Sequence, residues 1–232
     1  MTRVTIQDAS DEAPRFVLTD IEGTTTDIAF VRDVLFPLSR RALPDWVAKH
    51  WDGEEVERAR AATGRTDREG LVAALVGWID QDEKAPSLKA IQGKIWRTAF
   101  ESGEVRGHVY PDVPSAFRRW KAAGIRLSVF SSGSAEAQEL LFRHSAYGDL
   151  TSYVRVYFDT TTGPKREPAS YAAIARALEI DAGEIVFLSD VTAELDAAHA
   201  SGLRTRQLLR PGITNDPRSA HRKIRTFDEL DF

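Results

Sequence analysis

Short apolar runs that end in polar residues recur along the chain and predict buried strands. Residues 15–20 form an apolar run that ends in an acid and is followed by a glycine and threonines. This pattern is typical of a buried strand that leads into a loop. Similar runs follow at residues 125–130, 154–158, 184–188 and 203–209.

Segments with helical periodicity lie between the later runs. They cover residues 113–123, 134–144, 168–179 and 192–201, and Gly124 and Gly202 follow two of them as stop signals. Strand and helix therefore alternate. This order predicts an α/β fold, a doubly wound and mostly parallel sheet with helices on both faces, joined by right-handed crossovers.

One interval, residues 28–106, is helical throughout and interrupts this alternation. Apolar residues recur there at helical spacing at positions 71, 74, 75, 78 and 79, and again at 88, 91, 95 and 99. The pattern predicts two domains, a core of residues 1–27 and 108–232 and an inserted helical cap of residues 28–107. We expect Trp78, Trp96 and Phe100 in the cap interior rather than in a substrate pocket.

Polar side chains at the ends of the apolar runs suggest phosphoryl transfer. Asp20, Ser131 and Asp190 follow three of the runs, and Lys165 lies on the loop after a fourth. Parallel strands bring these ends together at one edge of the sheet. The set contains a carboxylate nucleophile (Asp20), a hydroxyl for a phosphate oxygen (Ser131), a cation (Lys165) and a second carboxylate (Asp190) for Mg²⁺.

Several residues close to this set have roles that depend on it. Glu22 can serve as general acid on the leaving oxygen and then as base for the water, and its main-chain carbonyl is a predicted magnesium ligand beside Asp20 and Asp190. Gly23, Thr24 and Thr25 permit a tight turn and are expected to offer amides and hydroxyls to the phosphate. Glu194 has three alternatives, which are to hold a metal-bound water, to hold Lys165, or to face solvent at a helix start.

Composition and charge exclude several other classes of protein. The 232 residues are 42% hydrophobic and 28% charged, with a net charge of −4, so we expect a globular domain rather than a disordered chain. The basic residues are scattered, which argues against nucleic-acid binding. Five histidines show no metal-binding spacing. The absence of cysteine and of an apolar run in the first fifteen residues predicts a cytoplasmic protein without a membrane span.

Four motifs, in order, resemble those of the haloacid dehalogenase-like phosphatases. They are DIEGTT at residues 20–25, SSGS at 131–134, GPKRE at 163–167 and SDVTAELDAA at 189–198. Most of that superfamily has Asp two residues after the nucleophile, where this chain has Glu22. The longer stretch DIEGTTTDIAFVRDVLFP, with QGKIWRTAF at residues 92–100, is similar to the enolase-phosphatases of methionine salvage.

The resemblance implies a reaction and a set of site residues. The implied reaction is enolisation of the small metabolite 2,3-diketo-5-methylthiopentyl 1-phosphate, followed by hydrolysis to an acireductone, with Mg²⁺ as the sole cofactor in a monomer. Asp20, Glu22 and Asp190 resemble the metal-binding and catalytic acids of the family. The residues that resemble its substrate-binding set are Ser131, Ser132, Gly133, Thr24 and Lys165.

Three alternative functions compete with this hypothesis. A related phosphatase acting on phosphoglycolate or a sugar phosphate is disfavoured by Glu22 and by residues 92–100. A signalling receiver has an acidic pair before its phospho-accepting Asp and no large helical insert. A phosphate-binding module without catalysis would not need both Asp20 and Asp190.

Overall fold

The structure, a computed structural model, describes residues 13–81, 83–214, 216–230 and 232. The predicted lack of a signal peptide concerns the first fifteen residues, and residues 1–12 lie outside the described part of the chain. No helix among the described residues is both long and apolar enough to cross a membrane. The chain divides into two compact units, one formed by the described residues up to Ile28 together with Gly107–Phe232, the other by Ala29–Arg106.

A parallel sheet forms the centre of the first unit. Its strands are β1 (Phe16–Thr19), β2 (Arg126–Phe130), β3 (Val154–Phe158), β4 (Ile185–Ser189), β5 (Arg204–Leu208) and β6 (Lys223–Ile224). Their order is β3-β2-β1-β4-β5-β6, with every neighbouring pair parallel. The five predicted strands are confirmed to within one residue at each end. The two-residue β6 is new, because it is too short to produce a periodic pattern.

Helices connect and flank the strands, as the sequence predicts. In chain order they are α1 (Ile28–Phe30), α2 (Phe36–Lys49), α3 (Glu54–Thr63), α4 (Arg68–Asp80), α5 (Pro86–Ser102), α6 (Asp112–Ala122), α7 (Ala135–Arg143), α8 (Pro168–Leu178) and α9 (Thr192–Ala200). From β1 to β3 the chain adds strands towards one edge of the sheet, and from β3 to β5 it crosses over and adds strands towards the opposite edge. Right-handed crossovers then place α6 and α7 on one face of the sheet and α8 and α9 on the other.

The apolar core lies between the sheet and its flanking helices. All residues of β1 and β4 are buried, as expected for strands covered on both faces, which appear in the sequence as continuous apolar runs. Phe16 and Phe187 pack in one cluster with Tyr171 of α8 and Leu195 of α9. Burial of each such side chain stabilises the fold by about 1.5–3 kcal/mol.

The second unit is a helical bundle of α2–α5, and its described residues contain no strand. Leu71, Leu75 and Ile79, which recur at helical spacing, form the buried face of α4. Phe100 is buried, and Trp96 Nε1 donates to Ser39 Oγ at 2.7 Å within the unit. Phe100 therefore belongs to the interior of the bundle, as expected from the sequence, whereas Trp96 and Trp78 are only half-buried.

Strand register brings the predicted site residues to one edge of the sheet. Thr19 of β1 lies opposite Val129 of β2 and Leu188 of β4. Asp20, which follows Thr19, therefore comes next to the loops that begin after β2 and β4.

Candidate active site

Asp20 is held at the carboxyl end of β1 by main-chain contacts. Its amide donates to the carbonyl of Leu188 at 2.9 Å, and its Oδ1 accepts from the amide of Ile21 at 2.7 Å. The residue is only 5% exposed. The carboxylate is thus fixed in direction, with Oδ2 left outside these contacts.

Lys165 makes a buried ion pair with two carboxylates. Its Nζ lies 2.7 Å from Asp20 Oδ1 and 2.7 Å from Glu194 Oε2. Burial lowers the pKa of Lys165, but the charges of Asp20 and Glu194 outweigh burial, so the net effect raises the pKa. Lys165 is therefore a cation at neutral pH. Because buried ion pairs seldom increase stability over apolar packing, this contact is better explained by function.

Glu194 is the third member of this ionic group. Its Oε2 also accepts from Ser189 Oγ at 3.1 Å, and the residue is buried. Burial, together with the charge of Asp20, raises the pKa of Glu194 to about 7, although Lys165 opposes the shift. Of the three alternatives for Glu194, the structure supports the contact with Lys165 and excludes a solvent-facing side chain.

Asp190 offers a second carboxylate at the same edge. It follows β4, the direct neighbour of β1, and its Oδ1 is buried without a hydrogen-bond partner in the described part of the chain. Burial, followed by the charge of Asp20, raises the pKa of Asp190 to about 6. A buried carboxylate oxygen without a donor, next to a second carboxylate, matches the oxygen ligands that Mg²⁺ prefers.

Side chains alone supply only part of a magnesium shell. In the described ranges, no three His, Cys, Asp or Glu side chains gather closely enough to hold a metal ion. Asp20 and Asp190 are thus the two carboxylates available to a metal ion, and the Glu22 side chain does not join them in a metal-binding group of three. Its expected contribution through the main-chain carbonyl stays a prediction.

The loop after Asp20 is a compact turn that needs a glycine. Gly23 has φ +72°, and a Cβ there would lie 2.5 Å from Asp190 Cγ and Oδ2. The amides of Thr24 and Thr25 both donate to the carbonyl of Ile21, at 3.1 and 2.9 Å. The expectation that the amides of this turn face the phosphate is therefore wrong, because the loop uses them itself. Thr24 Oγ1 is buried without a partner among the described residues, and its substrate contact remains a prediction.

The SSGS loop begins at the end of β2. Ser131 is buried, its amide donates to the carbonyl of Phe158 at 3.2 Å, and its Oγ accepts from the amide of Gly133 at 3.3 Å. Ser132 is exposed and Gly133 is half-buried. Ser134 provides the helix cap by accepting from the amide of Ala137. Ser131 and Ser132 are therefore not needed as caps, which favours their predicted role with substrate.

Two side chains that the sequence analysis missed, Gln138 and Arg210, hold these loops. Gln138 Nε2 donates to the carbonyls of Gly133 and Phe158, at 2.8 and 2.9 Å, and so ties the SSGS loop to the end of β3. Arg210 Nε donates to the carbonyl of Thr24 at 2.8 Å, while its Nη1 contacts both oxygens of Asp112 at 2.9 Å. The signal that marks Gln138 and Arg210 is the burial of their polar side chains, and burial cannot be read from a sequence.

Comparisons with known proteins agree with this geometry. A sequence profile described as haloacid dehalogenase-like hydrolase matches residues 14–202. The enolase-phosphatase E1 of Sorangium cellulosum is 56% identical over 93% of this chain and 97% of its own length. That of Thioalkalivibrio sulfidiphilus is 49% identical over 87% and 92%. The chain belongs to the enolase-phosphatase branch of the haloacid dehalogenase-like hydrolases.

A solved structure extends the likeness to three dimensions. The UTR4 protein of Saccharomyces cerevisiae superposes with a TM-score of 0.82 at 34% identity, covering 94% of this chain and 100% of the yeast chain. The α/β fold predicted from the alternation of apolar runs and helical segments is thereby confirmed. The hydrolase class indicated by the four motifs is confirmed by the family match and by the relatives named enolase-phosphatase E1. Membership of the enolase-phosphatase branch also agrees with the interpretation of Glu22 and of residues 92–100.

Proposed function

We propose that this protein is a magnesium-dependent enolase-phosphatase that converts 2,3-diketo-5-methylthiopentyl 1-phosphate to the acireductone and inorganic phosphate. The observation that carries the proposal is the Asp20 carboxylate, held at one sheet edge beside the Lys165 ammonium and the Asp190 carboxylate, whose Oδ1 has no hydrogen-bond partner among the described residues. Similarity to relatives named enolase-phosphatase E1 supports the choice of substrate. The chain's cytoplasmic location and monomeric state remain predictions.

Asp20 attacks phosphorus through Oδ2. Its Oδ1 is already occupied by the amide of Ile21 and the ammonium of Lys165, which leaves Oδ2 for the new bond. The bond from phosphorus to the substrate oxygen breaks, and an aspartyl phosphate forms on Asp20. Lys165 stabilises the negative charge that spreads over the phosphoryl oxygens.

Glu22 moves the protons in our scheme. Its proton goes to the leaving oxygen as the aspartyl phosphate forms. Its carboxylate then takes a proton from the water that attacks phosphorus, and the bond from phosphorus to Asp20 breaks to release inorganic phosphate and the free Asp20 carboxylate. In the preceding enolisation, Glu22 is our candidate for the base that removes the carbon-bound proton. Bound Mg²⁺, with Asp20, Asp190 and the Glu22 carbonyl as ligands, would supply positive charge to offset the phosphate and polarise the carbonyl of the substrate.

A substrate panel tests this function. We expect the purified protein with Mg²⁺ to release phosphate from the diketone phosphate at a kcat/KM at least about tenfold above that for phosphoglycolate or a sugar phosphate. Asp20→Asn should abolish release, because an amide cannot form the acyl phosphate. A preference for phosphoglycolate would favour the alternative, another phosphatase of this superfamily. Release by Asp20→Asn within tenfold of wild type would remove Asp20 as nucleophile.

Variants of Glu22 separate the two stages. Glu22→Gln should slow both, whereas Glu22→Asp should slow enolisation more than hydrolysis, because the shorter side chain no longer reaches the carbon. Solvent deuterium uptake measures enolisation and phosphate release measures hydrolysis. If Glu22→Gln enolises at the wild-type rate, Glu22 is not the carbon base.

A further inference from the structure

Two consecutive hydroxyls on α8 hold two consecutive carbonyls of the loop that carries Lys165. Ser170 Oγ donates to the carbonyl of Pro164 at 2.8 Å, and Tyr171 Oη donates to the carbonyl of Lys165 at 2.7 Å. Ser170 is 2% exposed and Tyr171 is fully buried.

The Tyr171 ring is fixed by side chains of two strands. It packs edge-on against Phe130 of β2, with ring centroids 5.5 Å apart, and against Phe187 of β4 at 5.1 Å. Burial raises the pKa of Tyr171, so its hydroxyl keeps its proton and remains a donor. Because the ring packs on the sheet and its hydroxyl holds the Lys165 carbonyl, the sheet as well as the loop fixes the position of that carbonyl.

Gly163 makes room for the Ser170 hydroxyl. Its φ is +144°, and a Cβ at this position would overlap Ser170 Oγ. A glycine here lets the loop approach α8 closely enough for the Ser170 contact. The loop therefore has three features that bring it against the same helix, namely Gly163, the Ser170 hydroxyl and the Tyr171 hydroxyl.

We propose that Ser170 and Tyr171 are positioning residues that set the main-chain location from which Lys165 reaches Asp20 and Glu194. This inference rests on the proposed function, in which Lys165 stabilises the transferring phosphoryl group. Lys165 reaches both carboxylates through a four-carbon stem, so the location of its main chain limits the positions that Nζ can take. Both Nζ contacts are at 2.7 Å, the short end of the range for charge-assisted hydrogen bonds, and we expect a displaced main chain to lengthen at least one of them.

Removal of one hydroxyl at a time tests the proposal. Tyr171→Phe keeps the ring and removes only the donor, and Ser170→Ala does the same for the serine. Tyr157→Phe and Ser128→Ala are matched controls, because these hydroxyls are buried without a hydrogen-bond partner among the described residues. We expect Tyr171→Phe to lower kcat about tenfold with KM within about twofold, since misplacement of a group that acts in the transition state affects kcat most. Both controls should stay within about twofold of wild type.

A double-mutant cycle distinguishes positioning from general stability. If Tyr171 acts through Lys165, Tyr171→Phe should change kcat by less than about twofold in a Lys165→Arg background. An equal tenfold loss in both backgrounds would overturn the proposal, as would a wild-type kcat in both Tyr171→Phe and Ser170→Ala. Should Tyr171→Phe fail to fold by circular dichroism, Ser170→Ala replaces it in the same cycle.

Failure of the proposed function would be recognised separately. If wild-type protein does not hydrolyse the diketone phosphate but does hydrolyse p-nitrophenyl phosphate, the substrate assignment is wrong, and the cycle is run with p-nitrophenyl phosphate. The positioning role is then judged on that substrate by the same criteria.

Discussion

Substitution of Gly23 by alanine should weaken magnesium binding through a single steric contact. A Cβ at Gly23 would lie 2.5 Å from Asp190 Oδ2, whereas real Cβ contacts below 3.0 Å are essentially never seen. The Asp190 carboxylate must therefore retreat by at least about 0.5 Å or rotate away. Mg²⁺ requires near-ideal octahedral geometry with ligand distances of roughly 2.0–2.1 Å, so a shift of this size removes Asp190 from its expected position.

Gly124→Ala provides a matched control for the backbone effect. Gly124 has φ +76°, close to the +72° of Gly23, but a Cβ there would meet nothing within 4 Å. Both substitutions introduce an alanine at positive φ, which destabilises the fold by about 1 kcal/mol. Only Gly23→Ala adds the overlap with Asp190. The difference between the two variants therefore reports on the carboxylate.

The assay follows two quantities as Mg²⁺ is titrated. They are the midpoint of thermal unfolding and the rate of phosphate release. We expect the half-saturating Mg²⁺ concentration of Gly23→Ala to rise at least about tenfold, equivalent to about 1.4 kcal/mol, while Gly124→Ala keeps the wild-type value. Equal Mg²⁺ requirements in the two variants would refute the inference that Asp190 is a metal ligand held against Gly23.

Two further predictions follow from the ionic groups of the site. Because the pKa of Asp190 is raised to about 6, its carboxylate takes up a proton as the pH falls through 6, and that proton competes with the metal. Apparent Mg²⁺ affinity in thermal-shift titrations should then drop about tenfold from pH 7 to pH 5, and an unchanged affinity would contradict this. Glu194→Gln should lower the free energy of unfolding in urea by about 1–3 kcal/mol, because Lys165 loses one buried charged partner. Glu139→Gln, which breaks an exposed ion pair with Arg143, should change it by less than about 1 kcal/mol, and equal losses would refute the assignment.

The sequence alone was sufficient to identify five of the six strands in the described part of the chain, together with the polar residues that follow them. Strands covered on both faces are continuous apolar runs, and a parallel sheet brings the residues after such runs to one edge. The order of apolar runs and helical segments therefore predicts Asp20, Ser131 and Asp190 as neighbours. Helical periodicity in the same way predicts an inserted helical unit.

Contacts between side chains far apart in the chain were decided only by the tertiary structure. Whether Glu194 holds Lys165 or faces solvent depends on how α9 packs against the sheet, and helical spacing places either option within reach. Gln138, Arg210 and Tyr171 are ordinary polar residues in the sequence, and each donates to a loop carbonyl only after burial has removed water as the alternative partner. Amphipathic patterns report which face of an element is buried, but the donor that meets a given carbonyl depends on packing across the whole unit.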